Sequence, residues 1–180
     1  LAPGGRSVVD APVSGGSEGA ERGTLTVFLG GEDEAVARAM PVVQAFGSRI
    51  THLGPVGAGQ AAKAVNQLIL AGVYAGVAEG LVYAERAGLP LEPLVEALSA
   101  GAADSWVLRN RSGNMIRSTY PLGFRVALHW KDVKIGLAEA RSLGLELEIA
   151  GAVEAWESSL VEHGFGDEDV SNVARHVRRQ

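Results

Sequence analysis

A stretch of apolar residues from Ala61 to Ala84 constrains the fold of this chain more than any other feature. Charged or amide side chains interrupt it at only four positions, Lys63, Asn66, Gln67 and Glu79. A helix that is apolar almost all round belongs in a protein core, and the longest apolar run, residues 68–78, is shorter than the roughly 20 residues needed to cross a bilayer. The stretch therefore predicts a core helix of a soluble protein, from residue 57 to about residue 87.

The polar side chains near the start of this helix share one face. Lys63, Asn66 and Gln67 are three and four positions apart, so they project together above Gly59. Burial and the positive end of the helix dipole both lower the pKa of a lysine, which lets it exchange a proton near neutral pH. A lysine at the helix edge with its ammonium in water is the alternative, and this stretch alone favours neither.

Length, composition and charge exclude several classes of protein. The 180 residues are 47% hydrophobic and carry a net charge of -5, which suits a globular protein and argues against nucleic acid as a main partner. The absence of cysteine excludes disulfides and thiolate chemistry, and the four histidines have no metal-ligand spacing, so no metal is expected. No secretion signal is recognisable, so a cytoplasmic location without a membrane partner is expected.

The chain changes character near residue 55. Before that point, strands are predicted at 7–11, 24–29 and 49–53, with a helix at 35–46. After it, helices are predicted at 57–87, 91–100, 105–111, 113–118, 126–143, 148–163 and 169–179. These patterns predict a mainly α protein in which a short α/β segment precedes a helical part.

A loop rich in small residues follows the first predicted strand. In the segment 12–17 the backbone can approach a ligand closely, and the N–H groups of Gly15 and Gly16 beside the Ser14 hydroxyl would suit a carboxylate or another small anion. An ordinary Gly/Ser turn is the more common meaning of such a loop. A serine hydrolase is not indicated, because the G-x-S-x-G elbow is absent.

Residues 57–62 match the dinucleotide-binding pattern G-x-G-x-x-G/A and lie between a strand and a helix. That pattern requires a second strand about 20 residues later, ending in an acidic residue that binds the ribose. Here the helix continues through Glu79 to Ala87 instead, and no other stretch qualifies. The sequence therefore predicts no nucleotide-binding unit of the chain's own.

Lys131 and Asp132 are neighbours within the predicted helix 126–143. Adjacent helical residues point about 100° apart, so one can reach a ligand while the other braces the structure. A solvated pair of neighbouring charges is the commoner explanation. Trp106 follows a glycine–alanine break and can line a pocket, although tryptophans are more often core residues.

Taken together, three segments resemble the β-hydroxyacid dehydrogenase family, which includes 3-hydroxyisobutyrate dehydrogenases and tartronate semialdehyde or glyoxylate reductases. The segments are residues 10–16, 57–67 and 131–137, in the family's order and at about its spacing. The resemblance covers nearly all of the chain. It implies the C-terminal remnant of a Rossmann-type nucleotide-binding domain at 1–55. It also implies an all-helical substrate-binding and dimerisation domain at 56–180, like the C-terminal domain of 6-phosphogluconate dehydrogenase.

The resemblance also implies roles for individual residues. Lys63 matches the family's catalytic lysine, a general acid in reduction and a general base in oxidation. Lys131, with Asp132 beside it, matches a lysine near the nicotinamide end of the cofactor, NAD or NADP. The implied substrate-binding residues are Ser14, Gly15, Gly16, Asn66, Gln67, Trp106 and Phe124, of which the first three grip the substrate carboxylate.

Family members begin with a Gly-rich Rossmann domain, which this chain lacks. The expectation is therefore a fragment or truncated gene product that binds NAD or NADP poorly and is inactive alone. The complete enzyme is expected to be an NAD(P)-dependent oxidoreductase of small 2- or 3-hydroxy acids or semialdehydes, assembled as a homodimer or homotetramer through the long helix. The alternative is a non-catalytic helical module for dimerisation or small-anion binding.

Overall fold

The computed structural model describes residues 7–180, apart from the side chain of Glu18. The elements in chain order are β1 (Val13–Ser14), α1 (Gly16–Glu21), β2 (Leu25–Leu29), α2 (Asp33–Val43), β3 (Gly47–His52), α3 (Ala58–Arg86), α4 (Leu91–Leu98), α5 (Trp106–Arg117), α6 (Val126–Ser142), α7 (Glu148–Glu162), a 3-10 turn (Val170–Asn172) and α8 (Val173–Arg178). The prediction of a mainly α chain that begins with a small α/β segment is confirmed.

The described chain forms two compact units, which meet in sequence inside α3 between Asn66 and Gln67. The domain boundary near residue 55 that the family resemblance implies stays a prediction.

The first unit is built around a three-stranded sheet of order β1-β2-β3, with β1 antiparallel and β3 parallel to the central strand. Successive side chains of a strand point to opposite faces, and Val27 and Leu29 of β2 are fully buried against Val36 and Val43 of α2. The alternation visible in the sequence therefore marks the core face of this sheet.

Some local elements differ from the sequence-based expectation. The strand predicted at 7–11 is not formed; only Asp10 makes an isolated bridge, with Gly30, and the strand lies at Val13–Ser14 instead. The pieces predicted at 105–111 and 113–118 form the single helix α5. Gly113 lies inside this helix, where a glycine costs about 1 kcal/mol relative to alanine but does not end the helix.

The regular elements of the second unit, Gln67–Gln180, are helices, and the unit contains two apolar clusters. Tyr74, Ala78 and Leu81 of α3 pack in one cluster, and Ala71 and Ala75 pack in the other. The sequence spacing predicts a core stripe on α6 at Val126, Trp130, Val133, Leu137 and Ala140. All of these residues are buried except Trp130, which is half-buried.

Helix α3 is not buried on all sides within this chain. The side chains of Ile69 and Tyr83 are 62% and 73% exposed. With 29 residues, α3 is also long and apolar enough to cross a membrane. This is weak evidence for a membrane span, because the core helix of a soluble protein meets the same criteria.

A buried aspartate anchors the C-terminal part of the second unit. Asp169 accepts hydrogen bonds from the N–H of Phe124 at 2.9 Å, the N–H of Ser171 at 3.0 Å and the hydroxyl of Ser171 at 2.6 Å. The Nε atom of Arg111 on α5 lies 3.4 Å from its carboxylate. One carboxylate thus holds together α5, the segment before α6 and the 3-10 turn.

Replacing this carboxylate should destabilise the protein strongly. We expect Asp169→Ala to lower the free energy of unfolding by about 3–5 kcal/mol, because it leaves the Arg111 guanidinium and two N–H donors without their acceptor in a buried site. Asp167→Ala is the matched control, since this side chain is 91% exposed and lies 3.6 Å from Arg125. The control should cost less than about 0.5 kcal/mol. Urea denaturation of both variants measures the difference, and equal losses would contradict the anchoring role.

Candidate active site

The carboxylate of Asp10 joins two of the predicted site segments within the first unit. One oxygen accepts a hydrogen bond from the N–H of Gly57 at 2.7 Å, and the other accepts from the N–H of Gln60 at 2.8 Å. The first N–H groups of a helix have no partner within the helix, and the positive end of the helix dipole attracts an anion. Asp10 therefore caps the helix that carries Lys63 and ties it to the segment leading to Ser14.

Gly59 allows this helix to approach the sheet closely. A Cβ atom at Gly59 would lie 2.5 Å from the carbonyl oxygen of Phe28 and 2.7 Å from the Asp10 carboxylate. Any side chain here would push α3 away from β2. The second glycine of the G-x-G pattern is therefore required for packing within the protein.

The same contacts decide whether this turn suits a dinucleotide. In the dinucleotide-binding fold, a pyrophosphate sits at the N-terminus of a helix and accepts hydrogen bonds from backbone N–H groups. Here the N–H groups of Gly57 and Gln60 already donate to Asp10. The turn at 57–60 does not fit the pyrophosphate of NAD or NADP.

The predicted carboxylate-binding segment is a turn between a strand and a helix. Ser14 ends β1 and pairs with Thr26 of β2, and α1 begins at Gly16. Gly15 and Gly16 have φ angles of 135° and 65°, which L side chains rarely adopt. Both glycines are exposed, so the backbone of this turn is accessible to a ligand.

Lys63 and Asn66 lie in the first two turns of α3, and both are half-buried. For Lys63, this partial burial lies between the two alternatives that the sequence leaves open, a fully buried lysine and a lysine with its ammonium in water. The first turn of α3, which is fixed by Asp10, is continuous with the turn that bears Lys63. The lysine thus projects from a helix whose start is held in place.

Gln67, Asp132 and Lys131 form a connected group in the second unit. The buried side chain of Gln67 donates from Nε2 to one carboxylate oxygen of Asp132 at 2.9 Å. The other oxygen lies 2.8 Å from Nζ of Lys131, whose side chain is 59% exposed. Asp132 thus braces α6 against α3, while Lys131 faces solvent. The two side chains also form the pair of neighbouring charges that the sequence suggests.

A buried pair that local sequence spacing does not reveal lies next to Gln67. Nδ1 of His129 lies 2.6 Å from Oε1 of Glu157, and Nε2 lies 3.3 Å from the carbonyl oxygen of Gln67. Burial raises the pKa of Glu157, and the hydrogen bond with His129 partly opposes that rise. His129 follows Val126 by three positions on the apolar stripe of α6, and this placement is the sequence signal for a buried histidine.

The two aromatic residues implied by the family resemblance lie in different surroundings. Phe124 is half-buried and meets the His129 ring edge-on, with the ring centroids 5.8 Å apart. Trp106 begins α5 and is exposed, with the guanidinium carbon of Arg111 4.7 Å from its ring centroid. Phe124 therefore contacts the histidine next to Gln67, whereas Trp106 is a surface residue.

An open surface cavity of about 440 Å³ lies elsewhere in the first unit. Its lining residues are Ser7, Val9, Ala35, Arg38 and Ala39, and none of them belongs to the predicted site. Among the described side chains, which exclude that of Glu18, no three from histidine, aspartate or glutamate come together in a way that could hold a metal ion. The candidate site therefore rests on the side-chain contacts around α3 and α6.

Two family models match the chain. Residues 57–177 match the NAD-binding domain of NADP-dependent 3-hydroxyisobutyrate dehydrogenase, and residues 1–54 match the NAD-binding domain of 6-phosphogluconate dehydrogenase.

Known proteins of this kind are similar over most of the chain. An uncharacterized oxidoreductase of Shewanella frigidimarina is 45% identical over 84% of this chain and 52% of its own length. The 2-hydroxy-3-oxopropionate reductase of Escherichia coli is 39% identical over 79% of this chain and 49% of its own. A structure of Mycobacterium tuberculosis 3-hydroxyisobutyrate dehydrogenase with L-serine is 29% identical, with a TM-score of 0.86 over 94% of this chain and 60% of that one. The chain thus spans about half the length of the curated relatives it matches.

Removing the Asp10 carboxylate should loosen the start of α3. We expect Asp10→Ala to lower the free energy of unfolding by about 1–2 kcal/mol, as loss of a helix cap does, and to speed hydrogen exchange at the amides of Gly57 and Gln60. Asp33→Ala is the control, because Asp33 is also an acidic residue at a helix start but its side chain is exposed. It should change stability by less than about 0.5 kcal/mol. Unchanged exchange at those two amides in Asp10→Ala would show that the cap does not hold the helix.

Proposed function

Because this chain belongs to the β-hydroxyacid dehydrogenase family, we propose that it forms the substrate-binding part of an NAD(P)-dependent oxidoreductase. The proposed substrates are small 2- or 3-hydroxy acids or the corresponding semialdehydes. The members of this family are NAD(P)-dependent hydroxyacid dehydrogenases. The 180-residue chain itself, spanning about half the length of its curated relatives, is expected to have little activity alone.

The observation that carries this proposal is the double hydrogen bond from the start of α3 to Asp10. It joins Asp10, four residues before Ser14, to the start of the helix bearing Lys63, although Asp10 and Gln60 are 50 residues apart in sequence. A reaction on a small hydroxy acid needs one group that holds the carboxylate and one that moves the hydroxyl proton. This contact supports both roles in one unit of the protein.

In the proposed mechanism, the turn at Ser14 binds the substrate carboxylate. The backbone N–H groups of Gly15 and Gly16 and the Ser14 hydroxyl are suitable donors, and both glycines are exposed, so a ligand can reach this backbone. The M. tuberculosis relative was solved with L-serine, which is a small 3-hydroxy acid. That structure supports the same class of substrate for this chain.

Lys63 is the proposed proton carrier. In oxidation its neutral amine takes the proton of the substrate hydroxyl, and in reduction its ammonium returns a proton to the carbonyl oxygen. The nicotinamide, when bound, accepts or supplies the hydride. Asn66 lies three positions beyond Lys63 on α3, and Gln67 lies four beyond; we assign both the role of orienting the substrate beside the lysine.

The residues of this chain supply only part of a cofactor site. Lys131 is exposed and is proposed to lie near the nicotinamide end of NAD or NADP, with Asp132 holding its ammonium. Two N–H groups of the helix start at 57–60, those of Gly57 and Gln60, already donate to Asp10 and are therefore taken from a pyrophosphate. We therefore expect the 180-residue chain to bind either dinucleotide weakly.

The proposed macromolecular partner is a second copy of this chain, in a homodimer or homotetramer assembled through α3. Ile69 and Tyr83 are exposed apolar residues of this helix, and Gly76 and Gly80 leave open space beside them. Exposed apolar residues that share a helix face are typical of association surfaces. The same face supports the second candidate function, a helical module that associates without catalysis.

The proposed location is the cytoplasm. No nucleic-acid partner is proposed, because the net charge of -5 disfavours contact with phosphate backbones. Tyr74, Ala78 and Leu81 of α3 pack in a protein core, which supports a soluble helix.

Lys63 should be required for turnover. The test uses a chimera in which this chain replaces the matching segment of the E. coli 2-hydroxy-3-oxopropionate reductase, assayed with both nicotinamide cofactors. Lys63→Met should lower kcat by about 10²–10⁴-fold, the range for loss of a general acid or base. Lys134→Met is the control, because Lys134 is an exposed lysine placed over the Trp130 ring. An active chimera in which Lys63→Met retains kcat and an intact fold would refute the proposed function, because its chemistry requires Lys63 to carry the proton.

The exposed face of α3 should determine the oligomeric state. The double variant Ile69→Glu with Tyr83→Glu places two charges on this face, and the cost of burying them should dissociate the assembly to the 18.7 kDa monomer. Val42→Glu, at an equally exposed apolar residue of α2, should leave the assembly intact. Light scattering coupled to size-exclusion chromatography gives the mass. An unchanged mass in the double variant would place the interface elsewhere.

A further inference from the structure

Two residues of α6 contact Gln67 from the same side. His129 and Asp132 are three positions apart, so they share a helix face. Nε2 of His129 lies 3.3 Å from the backbone carbonyl oxygen of Gln67, and Asp132 accepts a hydrogen bond from its side-chain amide at 2.9 Å. Backbone and side chain of one residue are thus held by one neighbouring helix.

The acceptors around His129 determine where its protons are. A carbonyl oxygen only accepts hydrogen bonds, so Nε2 must carry a hydrogen for its contact with Gln67 to be favourable. Nδ1 then shares one proton with Oε1 of Glu157 across 2.6 Å. The pair is either an imidazolium with a carboxylate or a neutral imidazole with a carboxylic acid, and its net charge is zero in both cases.

The surroundings of the pair retain this shared proton. Both side chains are fully buried, and Oε2 of Glu157 has no hydrogen-bond partner in the described part of the chain. Burial raises the pKa of Glu157; the nearby carboxylates of Glu154 and Asp132 add to the rise, whereas His129 opposes it. The rings of Tyr74 and Phe124 cover the imidazole at centroid distances of 6.2 and 5.8 Å.

Loss of the shared proton would reverse the contact with Gln67. A lone carboxylate at Glu157 requires Nδ1 of His129 to be the donor, so a neutral imidazole would turn the lone pair of Nε2 toward the Gln67 carbonyl oxygen. Two acceptors then face each other. The favourable contact with Gln67 therefore depends on the proton that His129 shares with Glu157, which lies on a different helix.

We propose that His129 and Glu157 are positioning residues for Gln67. Glu157 on α7 orients the His129 imidazole, and the imidazole holds the α3 backbone at Gln67. Asp132, on the same face of α6 as His129, then fixes the side-chain amide of Gln67 with its nitrogen toward α6. The relevance to catalysis rests on the proposed function, in which Gln67 orients the substrate.

A contribution to stability does not by itself explain why a buried pair of ionisable residues is present here. Replacing buried ionisable pairs with well-packed apolar residues is often neutral or stabilising, and a role in fixing register is their best-attested use. The pair also lies where α7, α6 and α3 meet, at the residue whose side chain continues to Asp132 and Lys131. Its position therefore points to alignment of the site.

The experiment compares two substitutions of Glu157 in the 180-residue chain. Glu157→Gln keeps a donor for Nδ1 and leaves Nε2–H on the Gln67 carbonyl, whereas Glu157→Leu removes the contact at similar volume. NMR measures hydrogen exchange of the Gln67 side-chain amide, relative to the backbone amide of Ala71 one turn further along α3. We expect exchange to be about tenfold faster in Glu157→Leu, as for loss of one hydrogen bond, and near wild type in Glu157→Gln.

Glu154→Gln is the matched control. Glu154 also lies on α7 and accepts a hydrogen bond from a ring N–H of α6, but the donor is Trp130, at 2.7 Å, and not His129. This variant should leave the exchange of the Gln67 amide unchanged. If Glu157→Leu lowers stability but leaves the exchange ratio of Gln67 unchanged, the pair is merely structural and the inference is wrong.

The chimera separates this inference from the proposed function. Glu157→Leu should lower kcat/KM about tenfold and Glu157→Gln should restore it. If Lys63→Met is fully active while the exchange results hold, the proposed function fails and the positioning of Gln67 stands. If Glu157→Leu leaves both exchange and kcat/KM at wild-type values, the positioning role fails whatever the result for Lys63.

Discussion

The first unit depends on one contact, between the Asp10 carboxylate and the first turn of α3. Helix N-termini present N–H groups that need acceptors, and a carboxylate meets this need while opposing the dipole. Because the acceptor comes from a residue between the chain start and β1, the contact also sets where the longest helix begins relative to the sheet. Gly59 is the steric counterpart of this arrangement, since any side chain there would meet the Phe28 carbonyl and Asp10 itself.

The long helices could be predicted from the sequence because their apolar periodicity is strong. The helix predicted at 57–87 is observed at Ala58–Arg86 (α3), and the helix predicted at 126–143 is observed at Val126–Ser142 (α6). The short elements could not be predicted in the same way. Helix α1 has six residues and begins with glycine, so it has no periodic signal, and β1 is a two-residue strand defined by its pairing with β2. Such elements exist because of tertiary contacts, which local composition does not encode.

The candidate site was predictable only in part, for a related reason. Residue types and order at Ser14, Lys63 and Lys131 carry the family resemblance, and the family itself is confirmed. Their individual roles remain proposals. The contacts between helices were not accessible from spacing: Gln67 and Asp132 are 65 positions apart, and His129 and Glu157 are 28 apart. Local patterns report which face of a helix is apolar, whereas the identity of the partner depends on how the helices pack.

The buried histidine–glutamate pair also restricts how this protein can change over generations. Replacing either residue alone leaves an ionisable group without its partner in an apolar interior, which is strongly disfavoured. A double replacement by apolar residues must therefore pass through a single mutant that folds poorly, whichever residue changes first. Proteins that evolve from this one should therefore keep both residues or replace both, so that positions 129 and 157 change together.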